Sequence, residues 1–422
     1  MQQPGIIKAG ETGKFSLFLA AIALGTPFVI VFLYTKGLSG GLNTAFSYDE
    51  SEYHYPVILQ FARELPFPDF TNYNSATTPL FHLLFAVLSR IVGTDIQHLR
   101  MINFFITVFS TILLFKLLIK QFNLPYFSAL LSTSLFALSP YFFREAFVVM
   151  TDNLPVLWLL LFFQYYLRFK EDGVFRNYLY SIFFIMLLCL TRQTYLYIVL
   201  PIAADIYMSK GLKQSRSVYM LLIVAAVIPT LLLFFIWKGL TPPQFQERHT
   251  ESSLLNIKPA LYGLGVLGFY SLFITGDKIY RTFLSIRKQK VLVAVLIGWA
   301  LLFFFPLTNA NHDFGYLWYI ADELPSVHGT PVLFYILVAI GICVCSSIWR
   351  LETPPFYLLF IIGLFVSEIP NKYFFQRYYD SSILIFLLLL DARYDKSDRF
   401  QAARIGLLTC LFITYFIVCI IR

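Results

Sequence analysis

Charge is what this sequence has little of. Of its 422 residues only 13% are Asp, Glu, Lys or Arg, against about 25% in an average soluble domain. A chain with so little charge cannot cover itself with water-compatible surface. That excludes a separate soluble domain and leaves much of the chain to face lipid. Cysteine is scarce as well. Cys189, Cys343, Cys345, Cys410 and Cys419 all lie inside apolar runs, with neither zinc-ligand spacing nor a disulfide framework. The sequence carries no phosphate-cradling P-loop, no Gly-rich dinucleotide motif and no HExxH, which argues against chemistry driven by ATP or NAD. The net charge of +8 has no polar basic face to carry it. Nucleic acid is therefore not an expected partner; loops facing an anionic leaflet account for the charge.

Long apolar runs are what the chain does have. A bilayer-spanning helix takes about 20 mostly apolar residues. Such runs recur at 15–34, 79–93, 101–119, 124–142, 153–167, 177–191, 193–208, 217–237, 259–275, 291–309, 327–348, 355–369, 379–391 and 404–421. The predicted fold is an all-α polytopic membrane protein, one membrane-embedded domain over residues 1–422. Run 15–34 follows Lys8 and Lys14. It is longer than a secretory h-region and no small-x-small site follows it cleanly, so it is expected to stay as a span.

Loop charge sets the number of crossings. With a cytoplasmic N-terminus and run 79–93 not crossing, 20 of the 32 Lys and Arg lie inside, among them the clusters at 168–176, 278–290 and 393–404. If 79–93 crossed, every later loop would flip and those clusters would face outward. The positive-inside rule therefore predicts about thirteen transmembrane helices. Run 79–93 begins at Pro79, is short and carries His82 and Arg90; it reads as a re-entrant or interfacial helix in the first extracytoplasmic loop. Runs 177–191 and 193–208 are each short for a span and read as a hairpin with Arg192 and Gln193 near its tip.

The outer loops then hold the candidate chemistry. Loop 35–78 contains Asp49-Glu50-Ser51-Glu52, then His54, and later Glu64 and Asp69. A solvated loop or a helix N-terminus would accommodate these acids. A positioned carboxylate there could also act as general base, drawing a proton from an attacking hydroxyl. Between two spans come Arg144, Glu145 and Asp152, set among apolar residues with few solvating neighbours; ionised groups at such depth tend to be paired or functional. Arg192 interrupts an apolar stretch of more than thirty residues. Its planar fork suits a phosphate or a carboxylate, and a structural pair with Glu145 or Asp152 is the alternative. Loop 238–258 holds His249, another loop holds His312 and Asp313, and Lys372 and Arg377 flank Tyr373-Phe374-Phe375-Gln376. Carboxylates and cations gathered at one face of a lipid-exposed bundle suit a reaction between a lipid-linked anionic donor and a polar acceptor.

These residues resemble the GT-C superfamily of integral-membrane glycosyltransferases, and more closely the dolichyl-phosphate-glucose-dependent α-1,2-glucosyltransferases. That family has an acidic pair followed by Phe-His-x-Pro-Gln in its first lumenal loop; here the stretch reads Asp49-Glu50-Ser51-Glu52-Tyr53-His54-Tyr55-Pro56. Its Trp-Asp-Pro and Ile-Thr-Thr-Pro-like segments are similar to Phe67-Pro68-Asp69 and Ala76-Thr77-Thr78-Pro79, its Arg-Gln-Thr-Asn to Arg192-Gln193-Thr194-Tyr195, and its late Arg-Tyr to Arg377-Tyr378. The order and rough spacing agree over most of the chain. The acidic pair stands one residue further from His54 than in the family, so ungapped alignment puts Glu50 rather than Asp49 on the family's Asp.

The resemblance implies an inverting transfer from a polyprenyl-phosphate-linked sugar donor, glucose or another hexose, to a hydroxyl of a glycan or lipid-linked glycan acceptor. Asp49 or Glu50 would be the base. Arg144, Arg192, Gln193, Lys372 and Arg377 would hold the donor phosphate, and His54, Asp69, Glu145 and Asp152 would contact substrate. No cofactor is required; some members of the superfamily use a divalent cation, and no metal cage is evident in this sequence. The active site would be extracytoplasmic, at the plasma (inner) membrane of a prokaryote or the endoplasmic reticulum of a eukaryote. The competing functions are a flippase of a lipid-linked sugar and a glycan polymerase or ligase. A flippase would often show internal repeats with matched broken helices, which this sequence lacks.

Overall fold

The computed structural model describes the chain except for residues 1–11, 36–47, 72, 210, 212–215, 250–255, 309–314, 352–355, 395–400 and 422. His312 and Asp313 lie outside the described residues, as does most of the first part of loop 35–78.

Every one of the fourteen apolar runs holds a helix. In chain order the helices are α1 (Thr12–Tyr34), α2 (Tyr55–Glu64), α3 (Leu80–Val92), α4 (Ile96–Lys120), α5 (Tyr126–Ala137), α6 (Pro140–Glu145), α7 (Asn153–Asp172), α8 (Phe175–Thr191), α9 (Val199–Met208) and α10 (Arg216–Trp237). They continue as α11 (Pro243–His249), α12 (Lys258–Ile274), α13 (Asp277–Ser285), α14 (Lys288–Phe304), α15 (Tyr316–Asp322), α16 (Val332–Leu351), α17 (Phe356–Ser367), α18 (Arg377–Tyr394) and α19 (Gln401–Ile421). A π turn, Glu50–His54, leads into α2, and a 3₁₀ turn, Gln193–Ile198, leads into α9.

The structure departs from the sequence reading where helices break. Run 124–142 is two helices, because the chain turns at Ser139 and Pro140 opens α6; a proline is tolerated in a first turn but not inside a helix. Run 327–348 starts with a two-stranded antiparallel hairpin, Ser326–Val327 against Thr330–Pro331, so the fold is not wholly α-helical. The pair 177–191 and 193–208 is not a simple hairpin: α8 packs on α7 and α10, whereas α9 and its 3₁₀ turn pack on α17. Among the described residues α4, α10 and α16 are long and apolar enough to cross a membrane, and the bent pair α12 and α13, turning by 114°, makes a fourth if taken as one span. The remaining apolar stretches are shorter among the described side chains, so length and composition by themselves single out far fewer than thirteen.

Two helices show the two kinds of environment. On α10 the side chains of Leu221 and Phe235 are 68% and 82% exposed; water would penalise such a surface and lipid does not. On α18 the whole stretch Ser382 to Ala392 is buried, as expected of a helix enclosed by others. Arg377 stands at its N-terminus, partly buried.

Hydrogen bonds gather the loops into two groups. Gln193 reaches Thr78, Asn256 reaches Asn371, and Trp237 reaches Phe70. At the other end Lys170 reaches Asp205, Arg350 reaches the Ser285 carbonyl, and Arg404 reaches those of Phe273 and Thr275. Both ends of α3 are tied to the first of these groups. Thr78, just before it, donates its backbone N–H to Gln193 Oε1, and the Thr94 carbonyl, just after it, accepts from the Tyr55 hydroxyl.

Close backbone contact joins α12 to α16. A Cβ on Gly268 would fall on the Leu337 carbonyl, and one on Gly341 on the Leu264 carbonyl. Small residues let membrane helices approach in this way. Gly341→Val is expected to force the pair apart, at a cost of about 1–3 kcal/mol from overpacking. Thermal unfolding of the purified protein in detergent should show a lowered midpoint, with Gly25→Ala, where a Cβ meets nothing within 4 Å, close to wild type.

Candidate functional site

Adjacent residues on a helix point about 100° apart. Asp49 and Glu50 open the same helical turn, so they cannot face one target. Glu50 faces inward. It is 1% exposed and accepts from Arg100 Nε at 2.9 Å, from Arg100 Nη2 in a second, shorter contact, and from the Val149 backbone N–H at 2.7 Å. This fork-on-carboxylate pair is charge-assisted and geometrically specific. It ties the π turn to α4 and to the segment before α7. The sequence reading left Asp49 and Glu50 open as the base; the geometry gives Glu50 a structural contact set and turns Asp49 to open space.

That space is a cavity of about 280 Å³. Asp49 and His54 line it from the π turn, Ser75 to Thr77 from the loop before α3, Met150 to Asp152 from the start of α7, and Arg192 from the end of α8. Phe245 of α11 and Tyr373, Phe375, Arg377 and Tyr378 complete it. Arg377 Nη2 donates to Asp49 Oδ2 at 3.1 Å, and Arg192 pairs with Asp152. Arg192 reaches the cavity because the chain is extended at this residue (φ −148°, ψ 116°) between α8 and the 3₁₀ turn. Its guanidinium lies 4.8 Å from the Tyr378 ring centroid, and that of Arg377 lies 5.1 Å from the Phe375 centroid. Both cations are thus held by a carboxylate and an aromatic face. Tyr53 and Phe245 meet edge to face at 5.8 Å between centroids.

Other candidates serve the site from behind or lie away from it. Gln193 donates to the Ala76 carbonyl at 2.8 Å and accepts from Thr78 N–H at 3.1 Å, so it fixes the 75–78 loop. Glu145 is 2% exposed and is not among the residues that line the cavity. Arg144 lies in the last turn of α6 and is likewise absent from the lining. Lys372 is exposed, while its neighbour Tyr373 lines the cavity. Asp69 is exposed and its carboxylate closes a local turn onto Thr71.

Residues the sequence reading missed are Arg100, His82, Glu368 and Phe245. Arg100 offered a signal, a basic residue at the head of an apolar run. His82 accepts or donates across 3.1 Å to His54, Nε2 to Nδ1, with the rings stacked. Burial holds the His82 imidazole down at about 3, and holds that of His54 well below its usual range, with His82, Arg377 and Arg192 adding to the effect. Both rings are therefore neutral at neutral pH. Glu368 follows α17 and faces Arg192 from the buried side, in a small second space that also touches Asp152 and Arg377. Its carboxylate accepts a hydrogen bond from the Asn371 side-chain amide. Phe245 carries no sequence signal at all. Among the described residues no three His, Cys, Asp or Glu side chains come together as a ligand set.

Glu145 gives a pH prediction. Burial pushes its carboxyl up to about 8; Arg377 and Arg192 pull it down, Asp380 raises it, and Arg144 pulls down more weakly. A raised carboxyl stabilises the fold fully below its unfolded value and loses that contribution as pH rises to its folded value. The window is thus from about 4.5 to about 8, with a slope of at most roughly 1.4 kcal/mol per pH unit. His54 and His82 act in the opposite sense, stabilising above their unfolded value and losing this as pH falls. The difference between wild type and Glu145→Gln isolates the carboxyl. The unfolding midpoint of Glu145→Gln in detergent should gain on wild type steadily from pH 5 to pH 8; a constant difference would refute the assignment.

No family model matches the chain, and comparison with curated proteins finds no match. Among solved structures the chain is similar to a crystal structure of ArnT from Cupriavidus metallidurans bound to undecaprenyl phosphate. The identity is 13% and the TM-score 0.42, over 96% of this chain and 78% of that one. A likeness of that size assigns no role to any residue here.

Proposed function

We propose that this chain is an inverting glycosyltransferase of the GT-C type, transferring a hexose, glucose in the first instance, from a polyprenyl-phosphate donor to a hydroxyl of a glycan or lipid-linked glycan. The observation that carries this reading is the cavity in which Arg192, Arg377, Asp49 and Asp152 meet under aromatic walls. Two guanidinium groups suit a phosphodiester, and aromatic side chains such as Tyr53, Phe245 and Phe375 suit the faces of a sugar. The resemblance of Arg192-Gln193-Thr194 and Arg377-Tyr378 to the glucosyltransferase signatures supports it from the sequence side. The reaction runs at the extracytoplasmic face of a bundle with about thirteen crossings, α3 lying at the interface.

In the proposed step the acceptor oxygen attacks the anomeric carbon as the bond from that carbon to the phosphate oxygen breaks. The hydroxyl proton passes to Asp49. The polyprenyl phosphate leaves with the bonding electron pair, and Arg192 and Arg377 stabilise its developing charge. A divalent cation is not part of the proposal, since the cavity carboxylates Asp49 and Asp152 each already face a guanidinium.

Arg192→Ala is expected to remove donor use while the protein still folds. Arg192→Lys should restore only part of the activity, because it keeps the charge and loses the bidentate fork. Transfer of labelled sugar from a polyprenyl-phosphate donor in membranes is the assay. Wild-type rates from Arg192→Ala membranes would count against the reading.

A further inference from the structure

Asp49 and Asp152 do more in this geometry than stand near cations. Each is bound to the guanidinium that the proposed phosphate would need. The two pairs cross between distant parts of the chain, residue 49 to 377 and residue 152 to 192, and both face the same cavity. The arginine side chains are only 13% and 15% exposed, so bulk water does little to loosen their pairs. An anion entering the cavity must take guanidinium hydrogen bonds that the carboxylates hold.

On the reading that the cavity binds a lipid-linked phosphate, we infer that the donor enters by exchange. Its phosphate displaces Asp49 from Arg377 and Asp152 from Arg192, and this displacement frees Asp49 to act as base. Two chemical arguments support the coupling. A carboxylate oxygen that already accepts from a guanidinium is occupied by that hydrogen bond and is not aimed at an acceptor hydroxyl. Charge counting works the same way. The two arginines and two aspartates sum to zero, and a phosphodiester adds one negative charge. The added charge competes with both carboxylates for the two guanidinium groups, so the phosphate and the aspartates do not share them. The acceptor is then activated only when donor is in place, so donor binding comes first.

The consequence is unusual for a base. Its removal should tighten binding of the lipid phosphate. The probe is a short-chain polyprenyl phosphate, titrated onto the purified full-length protein in detergent. Asp49→Asn and Asp152→Asn should each bind it about threefold to tenfold more tightly than wild type, the scale on which partly exposed ion pairs contribute, while Arg377→Gln binds it more weakly. If both Asn variants bind no tighter than wild type while Arg377→Gln and Arg192→Gln bind more weakly, the phosphate sits on the arginines without competition, and the exchange is wrong although the glycosyltransferase reading stands. If neither arginine variant changes binding, the phosphate site itself is misassigned and the exchange falls with it. Wild-type protein gives a second test that needs no variant to fold. Initial rates should follow an ordered pattern with donor first, and a random order would overturn the inference.

Discussion

Asp49→Asn is expected to lower sugar transfer by about 10² to 10⁴, the usual loss on removing a general base, with the protein still folded and still binding lipid phosphate. The substitution keeps the size of the side chain and a carbonyl oxygen for Arg377, and removes the basic oxygen. Asp49 is the natural subject of this test because of what surrounds it. Its side chain is 29% exposed, lines the cavity and faces Arg377. Transfer by purified protein and binding of polyprenyl phosphate should be measured together. A variant that keeps wild-type transfer would move the base to another carboxylate, with Asp152 next in the cavity.

Glu50→Gln should fail in a different way. Arg100 is 8% exposed, and Glu50 meets it with both carboxylate oxygens. Neutralising the acid leaves a buried guanidinium without its counter-charge, at a cost of roughly 3–5 kcal/mol. The expected result is poor recovery of monodisperse protein and a large fall in the unfolding midpoint. The double variant Glu50→Leu/Arg100→Met should regain much of the loss, since a buried ion pair replaced whole by apolar groups is often neutral. A folded but inactive Glu50→Gln protein would instead give Glu50 the chemical role that ungapped alignment suggests.

These two acids show where sequence reading stops. They are neighbours in the chain, equally acidic and equally placed for a base. Which one turns to the cavity depends on Arg100 lying fifty residues further on and on the Val149 amide coming to the same point. Neither contact leaves a mark at Asp49-Glu50 itself. The cations behave similarly. Arg144, Arg192, Lys372 and Arg377 were equivalent as positive charges in outer loops, and packing brings only Arg192 and Arg377 to the cavity wall. Gln193 belongs to the same motif as Arg192 but points to the 75–78 loop. His54 had a partner in His82, visible in the sequence only as a histidine in an apolar helix.

What the sequence by itself determined is the class of the molecule and the position of its helices. Hydropathy and helix length are local properties, and all fourteen apolar runs contain helices; the breaks at Ser139-Pro140 and at the hairpin before α16, and short helices outside the runs such as α2 and α11, were not legible in this way. The tertiary structure decided orientation and partnership: Glu50 inward and Asp49 outward, Arg377 on Asp49 and Arg192 on Asp152, and Phe245 brought from a separate loop to the cavity. These depend on side-chain direction and on contacts between residues dozens to hundreds of positions apart. Such contacts are set by how the helices pack, and no stretch of sequence short enough to read as a motif encodes that packing.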